Sequence, residues 1–214
     1  MLKKCLAEFI GTFALVFCGT GAIIINDITN GAVTHPGIAI TFGLIVLAMI
    51  YAYGEISGAH INPAVSLAFY VSGKFKGKNL FPYISSQLSG AIAASLVLSV
   101  LFPSHQNLGA TLPFGEAWQS FIIEILLTFF LMTVIIHVAT GSKETGVTAG
   151  IAIGSVVLLE AMFAGPITGA SMNPARSIAP ALVSGNIQHL WLYIIGPIAG
   201  ALLAVGAHKV ITKD

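Results

Sequence analysis

Two asparagines, Asn62 and Asn173, are the residues best suited to act on another molecule, and each opens an Asn-Pro-Ala triplet: Asn62-Pro63-Ala64 and Asn173-Pro174-Ala175. Asparagine is a strong helix N-cap, and proline suits the first helical position, where its missing N–H has no intrahelical partner. Each triplet therefore offers amide donors beside the positive end of a helix dipole. That chemistry holds a neutral oxygen and repels a cation; it does not break bonds. The strongly ionisable residues set in apolar sequence are Glu8, Glu124, Glu160 and Arg176. No cluster has metal-ligand spacing, and neither a phosphate loop nor a nucleophile–base constellation occurs. The sequence thus predicts no catalytic residue, no metal and no cofactor.

The elements that position these residues follow from composition. The chain has 214 residues, 56% hydrophobic and 8% charged, against roughly 25% charged in an average soluble domain. This excludes an ordinary cytosolic enzyme, a nucleic-acid binder and a disordered chain. A net charge of +1 gives no basic field for phosphates. The two cysteines, Cys5 and Cys18, lie in the first apolar stretch and form no disulfide framework.

Six apolar runs approach the ~20 residues of a spanning helix: 5–26, 36–53, 80–102, 118–139, 146–164 and 189–208. The first follows Lys3 and Lys4 but is too long for the apolar core of a secretion leader, about 7–15 residues. With a cytoplasmic N-terminus, alternation puts Lys3, Lys4, Lys74, Lys76, Lys78, Lys143, Lys209 and Lys213 on the inner side. The outer connections 27–35 and 103–117 carry no lysine or arginine. This positive-inside pattern predicts a multi-pass protein of the lipid bilayer with both termini cytoplasmic. Arg176 alone departs from it, and a cation there needs a water-filled cavity or the bundle interior.

An internal repeat runs through the chain. Residues 54–66, GEISGAHINPAVS, match 165–177, GPITGASMNPARS, at eight of thirteen positions with a constant offset of 111. Glu8 answers Glu124, and Gly90 answers Gly200. Each copy, approximately 1–107 and 112–214, holds three spans and one short segment. Three is odd, so the second copy enters from the opposite face, an inverted repeat within a single domain 1–214. The short segments 62–72 and 173–184 would be helices of about 16–18 Å, half of a ~30 Å hydrocarbon core. The preceding Ser57-Gly58-Ala59 and Thr168-Gly169-Ala170 are expected to fold back as extended backbone. Two re-entrant half-helices would then meet N-terminus to N-terminus at the midplane. The fold class expected is an all-α membrane protein of six transmembrane helices plus two half-helices.

Paired Asn-Pro-Ala motifs, Arg176 directly after the second, six spans and two repeats resemble the aquaporin (major intrinsic protein) family over the whole chain. The resemblance implies an aquaporin-like right-handed bundle, assembled as a homotetramer with one pore per subunit. It implies a passive channel for water that excludes protons and ions. Water at the midplane would accept a bond from each asparagine and turn its hydrogens toward both exits, which breaks a proton relay. The dipole ends and Arg176 oppose any cation.

The family's selectivity filter carries over by position to Phe42, Ala161, Ala170 and Arg176. Water-selective members resemble this chain at Phe42 and Arg176, but usually place histidine where Ala161 stands and cysteine or threonine where Ala170 stands. Two alanines widen the aperture and make one wall apolar, which suits glycerol, urea, ammonia or uncharged metalloid acids as well as water. Against that, glycerol-conducting members typically carry aspartate where this chain has Ser177, and they have longer outer loops.

By the same resemblance, and by symmetric placement, Glu8 and Glu124 accept backbone N–H bonds from the re-entrant loops. His60 lines the cytoplasmic half of the pore, either as static polar lining or as a group that gates on protonation. Glu160, one residue before Ala161, points about 100° away from it; it faces the bundle, a neighbouring subunit or a loop amide, and the sequence does not choose. The competing function is a secondary transporter, since inverted repeats and broken helices occur there too. Short termini and compact loops point to a bacterial inner membrane.

Overall fold

The computed structural model describes residues 1–139 and 143–212, with the side chains of 143–147 left aside. Among the described residues eight α-helices follow in chain order: α1 (Leu2–Ile28), α2 (Thr34–Ser57), α3 (Pro63–Val71), α4 (Leu80–Leu101), α5 (Ala117–Val138), α6 (Lys143–Thr168), α7 (Pro174–Ser184) and α8 (Leu192–Ile211). A 3-10 turn, Gly77–Asn79, leads into α4. Six of the helices are long and apolar enough to cross a membrane. The remaining two, α3 with 9 residues and α7 with 11, reach only part of the way.

Two of the long helices run well past the apolar runs that announced them. α2 continues to Ser57 and α6 to Thr168, because backbone bonding does not stop where hydropathy falls. Their last residues are hydroxyl-bearing and both serve the site. Lys209 of α8 donates to the Val71 carbonyl at the end of α3 (3.5 Å). Lys213 lies outside the described residues, as does the side chain of Lys143.

Helix crossings are set by small residues, since lipid gives helices no hydrophobic reason to associate. At Gly90 a Cβ would run into the Phe9 carbonyl, and at Gly200 one would run into the Ile125 carbonyl. α4 thus lies against α1 one residue beyond Glu8, and α8 lies against α5 one residue beyond Glu124. α2 and α6 meet at Gly43 and Gly154, each of whose missing Cβ would come 2.7 Å from the other's carbonyl oxygen. Matched crossings put two buried carboxylates at matched heights, and both face the short-helix loops.

A candidate pore between two half-helices

Each short helix begins where its sequence directs. Asn62 and Asn173 have extended backbones and cap α3 and α7, with proline in the first turn of each. Asn62 Oδ1 accepts from Ala64 N at 2.9 Å; Asn173 Oδ1 accepts from Ala175 N at 3.0 Å and from Arg176 N at 3.4 Å. With the oxygens so engaged, the amide nitrogens face away from their own helices. Asn62 Nδ2 donates to the Met172 carbonyl at 2.8 Å, and Asn173 Nδ2 donates to the Ile61 carbonyl at 2.9 Å. The two loops are therefore tied reciprocally, tip to tip. Each amide nitrogen carries two hydrogens, so these bonds leave one on each.

The loops leading into the caps are not extended, contrary to expectation. Gly58, Ala59 and Ile61 have φ of 90°, 45° and 42°; Gly169, Ala170 and Met172 have 80°, 41° and 55°. Left-handed backbone is costly for residues other than glycine, above all for a β-branched one. The physical reason is the direction of the amides. This winding turns successive N–H groups to one side, where a carboxylate collects them.

Glu8 Oε1 accepts from His60 N (2.9 Å) and from the Ser57 hydroxyl (2.7 Å), and Oε2 accepts from Ile61 N (2.7 Å). Glu124 Oε1 accepts from Ser171 N (2.9 Å) and from the Thr168 hydroxyl (2.6 Å), and Oε2 accepts from Met172 N (2.9 Å). Both carboxylates are fully buried. Charge-assisted bonds of this kind are among the stronger hydrogen bonds, and they offset the left-handed turns.

Sequence reasoning missed the groups that complete these networks. Ser57 and Thr168 are themselves a matched pair at the repeat offset, a signal that was available. Gln87 was not foreseeable: it donates to Glu8 Oε2 at 2.7 Å and to the Ser66 hydroxyl at 2.9 Å. Three residues before Gly200, where the second copy would place its counterpart, stands Pro197.

A cavity of about 650 Å³ runs past the loops. Asn62, Asn173, His60, Phe42, Ala161, Ala170 and Arg176 all line it. Pro63, Ala64, Pro174 and Ala175 do not; they are buried in the first turns of the short helices. Arg176 is 1% exposed to solvent, far from a solvated loop arginine. Its Nη1 donates to the Gly109 carbonyl at 2.8 Å, and its guanidinium carbon sits 5.1 Å from the centroid of the Phe42 ring. Phe42 in turn occupies the notch at Gly19, where a Cβ would collide with the ring. Ala161 and Ala170 add only methyl groups to this part of the wall. His60 packs among Phe69, Phe75 and Tyr83, with ring centroids 4.8, 4.8 and 5.2 Å away, and its Nδ1 lies 3.0 Å from the Ser66 hydroxyl.

Glu160 is 2% exposed and does not line the cavity. Neither of its oxygens has a hydrogen-bond partner among the described residues. Of the alternatives the sequence left open, a loop amide is therefore excluded.

The family model described as "Major intrinsic protein" matches residues 1–208. The chain belongs to the major intrinsic protein family. Its relatives within the family include aquaporin NIP1-1 of Zea mays, 48% identical over 98% of this chain and 75% of that one. Nodulin-26 of Glycine max is 42% identical over 98% of this chain and 78% of that one. Among solved structures, the aquaglyceroporin from Plasmodium falciparum superposes with a TM-score of 0.89 at 26% identity, covering 99% of this chain and 97% of that one. The family assignment and the six apolar helices make this a multi-pass membrane protein. The related sequences are plant proteins, so the expected bacterial inner membrane finds no support there.

Proposed function

We propose that this chain is a passive channel conducting water and small uncharged solutes across a membrane while excluding protons and ions. The observation that carries this reading is the reciprocal tie between Asn62 and Asn173 beside one continuous cavity wall. It gives a passing oxygen two donors at one height, with a positive helix end behind each. A water accepting both bonds turns its own hydrogens outward, and no proton wire runs through it in one direction. Arg176 adds a fixed positive charge at the Phe42 end of the cavity, which raises the energy of any cation there. The family is that of aquaporin channels, and this favours a channel over a gradient-coupled transporter.

In this reading Phe42, Ala161, Ala170 and Arg176 form the selectivity filter, and Asn62 and Asn173 form the midplane site. Glu8 and Glu124 hold the loops, and His60 is static polar lining, since aromatic rings enclose it on three sides. The chain is one channel domain of two inverted repeats. It assembles as a homotetramer with both termini cytoplasmic. The two alanines favour passage of glycerol-sized solutes beside water, as the name of the Plasmodium falciparum neighbour suggests for that protein. The test is stopped-flow light scattering on proteoliposomes challenged with sucrose, glycerol and urea. Rapid osmotic shrinkage without proton leak is expected. Permeability equal to that of empty vesicles for water and every neutral solute overturns the reading.

A further inference from the structure

The carbonyl that holds Arg176 belongs to Gly109, in the connection between α4 and α5. This connection has its own anchor. Leu108 (φ 49°) and Gly109 (φ 70°) are both left-handed. Leu108 is 4% exposed and packs against Ile24 of α1 and Leu98 of α4. Gly109 lies so close to α1 that a Cβ would come 2.7 Å from Thr20 Cβ. A non-glycine residue holds a left-handed turn only where its surroundings over-determine it. Here the backbone N–H of Leu108 donates to Nδ1 of His105 at 2.9 Å. On the other side of the ring, Nε2 of His105 faces Asp27 Oδ2, on the last turn of α1, at 3.2 Å.

These two contacts assign the tautomer. Nδ1 accepts a hydrogen bond, so it bears a lone pair, and the ring proton sits on Nε2, directed at Asp27. The neutral imidazole is thus built into the turn. A second proton would have to go onto Nδ1, where it would point at the Leu108 N–H. Two donors cannot share that 2.9 Å line, and the turn must open. Opening it moves the carbonyl of the following residue, Gly109, away from the Arg176 guanidinium.

We propose that His105 is a positioning residue for Arg176, and that its protonation releases the arginine and closes the channel. The proposal rests on the channel reading above and adds a determinant to the same site. Asp27 is the charged group that faces His105 from α1. Asn186, which donates to Asn107 at 3.3 Å, approaches the same connection from beyond α7 and is neutral. Ile24, Leu98 and the nearby Val183 of α7 are apolar. Protonation of His105 is therefore the step that opens the turn, with Asp27 as its charged neighbour. Once released from Gly109, the guanidinium keeps its contact with the Phe42 ring among the described residues, and its side chain turns toward the lumen.

The experiment is osmotic shrinkage of proteoliposomes equilibrated to the same pH inside and out, from roughly pH 8 to pH 5, the window in which imidazoles titrate. The native chain should lose water permeability at least about two-fold toward the acid end. His105→Asn keeps an acceptor in the Nδ1 position and does not titrate. It should match the native chain at the alkaline end and show no acid loss. His105→Ala removes the acceptor and should be low throughout. Asp27→Asn removes a carboxylate that favours the imidazolium, so its loss should move to lower pH. Native permeability that is flat across the window, or rises in acid, overturns the proposal. An acid loss of the same size in His105→Asn also overturns it. Failure of the channel reading looks different: no permeability above empty vesicles at any pH.

Discussion

The amide nitrogen of Asn62 lies 2.8 Å from the backbone carbonyl of Met172, 110 residues away in sequence. With its counterpart from Asn173 to Ile61, it joins two helix starts into a single element. The tie makes each half of the chain a structural support for the other.

Replacing Asn62 by alanine removes both the N-cap bond to Ala64 N and the tie to Met172. Cap loss alone costs about 0.5–2 kcal/mol, and the Met172 carbonyl is left buried without its donor, for a further ~1–3 kcal/mol. Asn62→Ala should therefore lower the thermal aggregation temperature in detergent and reduce water permeability. Asn173→Ala should do the same, with a somewhat larger effect, because Asn173 Oδ1 also accepts from Arg176 N. A variant with native melting and native permeability would show that the tie carries no weight.

Glu8→Gln keeps the shape but substitutes an amide for a carboxylate that gathers two backbone N–H groups, the Ser57 hydroxyl and the Gln87 amide. One end of the glutamine is itself a donor and must face a donor. The loss of charge-assisted bonds is about 1.5–3 kcal/mol, and the left-handed loop is released. Glu124→Gln should behave alike on the other loop. Ser57→Ala removes one of the four donors to that carboxylate and the acceptor of the Ala59 N–H, leaves the other three bonds in place, and should cost about 1–3 kcal/mol. The check is purified yield and melting in detergent, followed by permeability of what folds.

Ala161→His places an imidazole on the cavity wall that Phe42, Ala170 and Arg176 share. The aperture narrows and gains a polar handle. Glycerol passage should fall by more than water passage, measured on one proteoliposome preparation. An unchanged glycerol-to-water ratio counts against the four-residue filter.

Gly90→Ala drives a methyl into the Phe9 carbonyl, and Gly200→Ala drives one into the Ile125 carbonyl. Backbone cannot yield as a flexible side chain does, so overpacking should cost about 1–3 kcal/mol and disturb Glu8 and Glu124, one residue away. Gly206→Ala is the control. A Cβ there meets nothing within 4 Å, and its effect should stay within about 0.5 kcal/mol. Equal melting shifts at all three glycines would contradict the crossing geometry.

The six spanning helices, the two capped half-helices and the Asn-Pro-Ala pair were legible in the sequence. The reason is local: a bilayer demands about 20 apolar residues per span, a cap demands its residue types, and a repeat displays its own period. Glu8 and Glu124 were singled out by their matched places in the two copies together with the family resemblance, and the structure puts both carboxylates under the loop amides. What only the tertiary structure decided depends on the relative height and rotation of separate helices. At about 100° per residue, a boundary error of one or two residues turns a side chain to another neighbour. So the sequence could not aim Glu160, assign Gln87 to Glu8 or seat Phe42 against Gly19. Nor could it show that the re-entrant loops wind left-handed, since that winding is stable only where a buried carboxylate from another helix receives the amides it turns inward. The bond from Arg176 to Gly109 joins residues 67 apart. Nothing in either local sequence announces it, and packing alone brings them together.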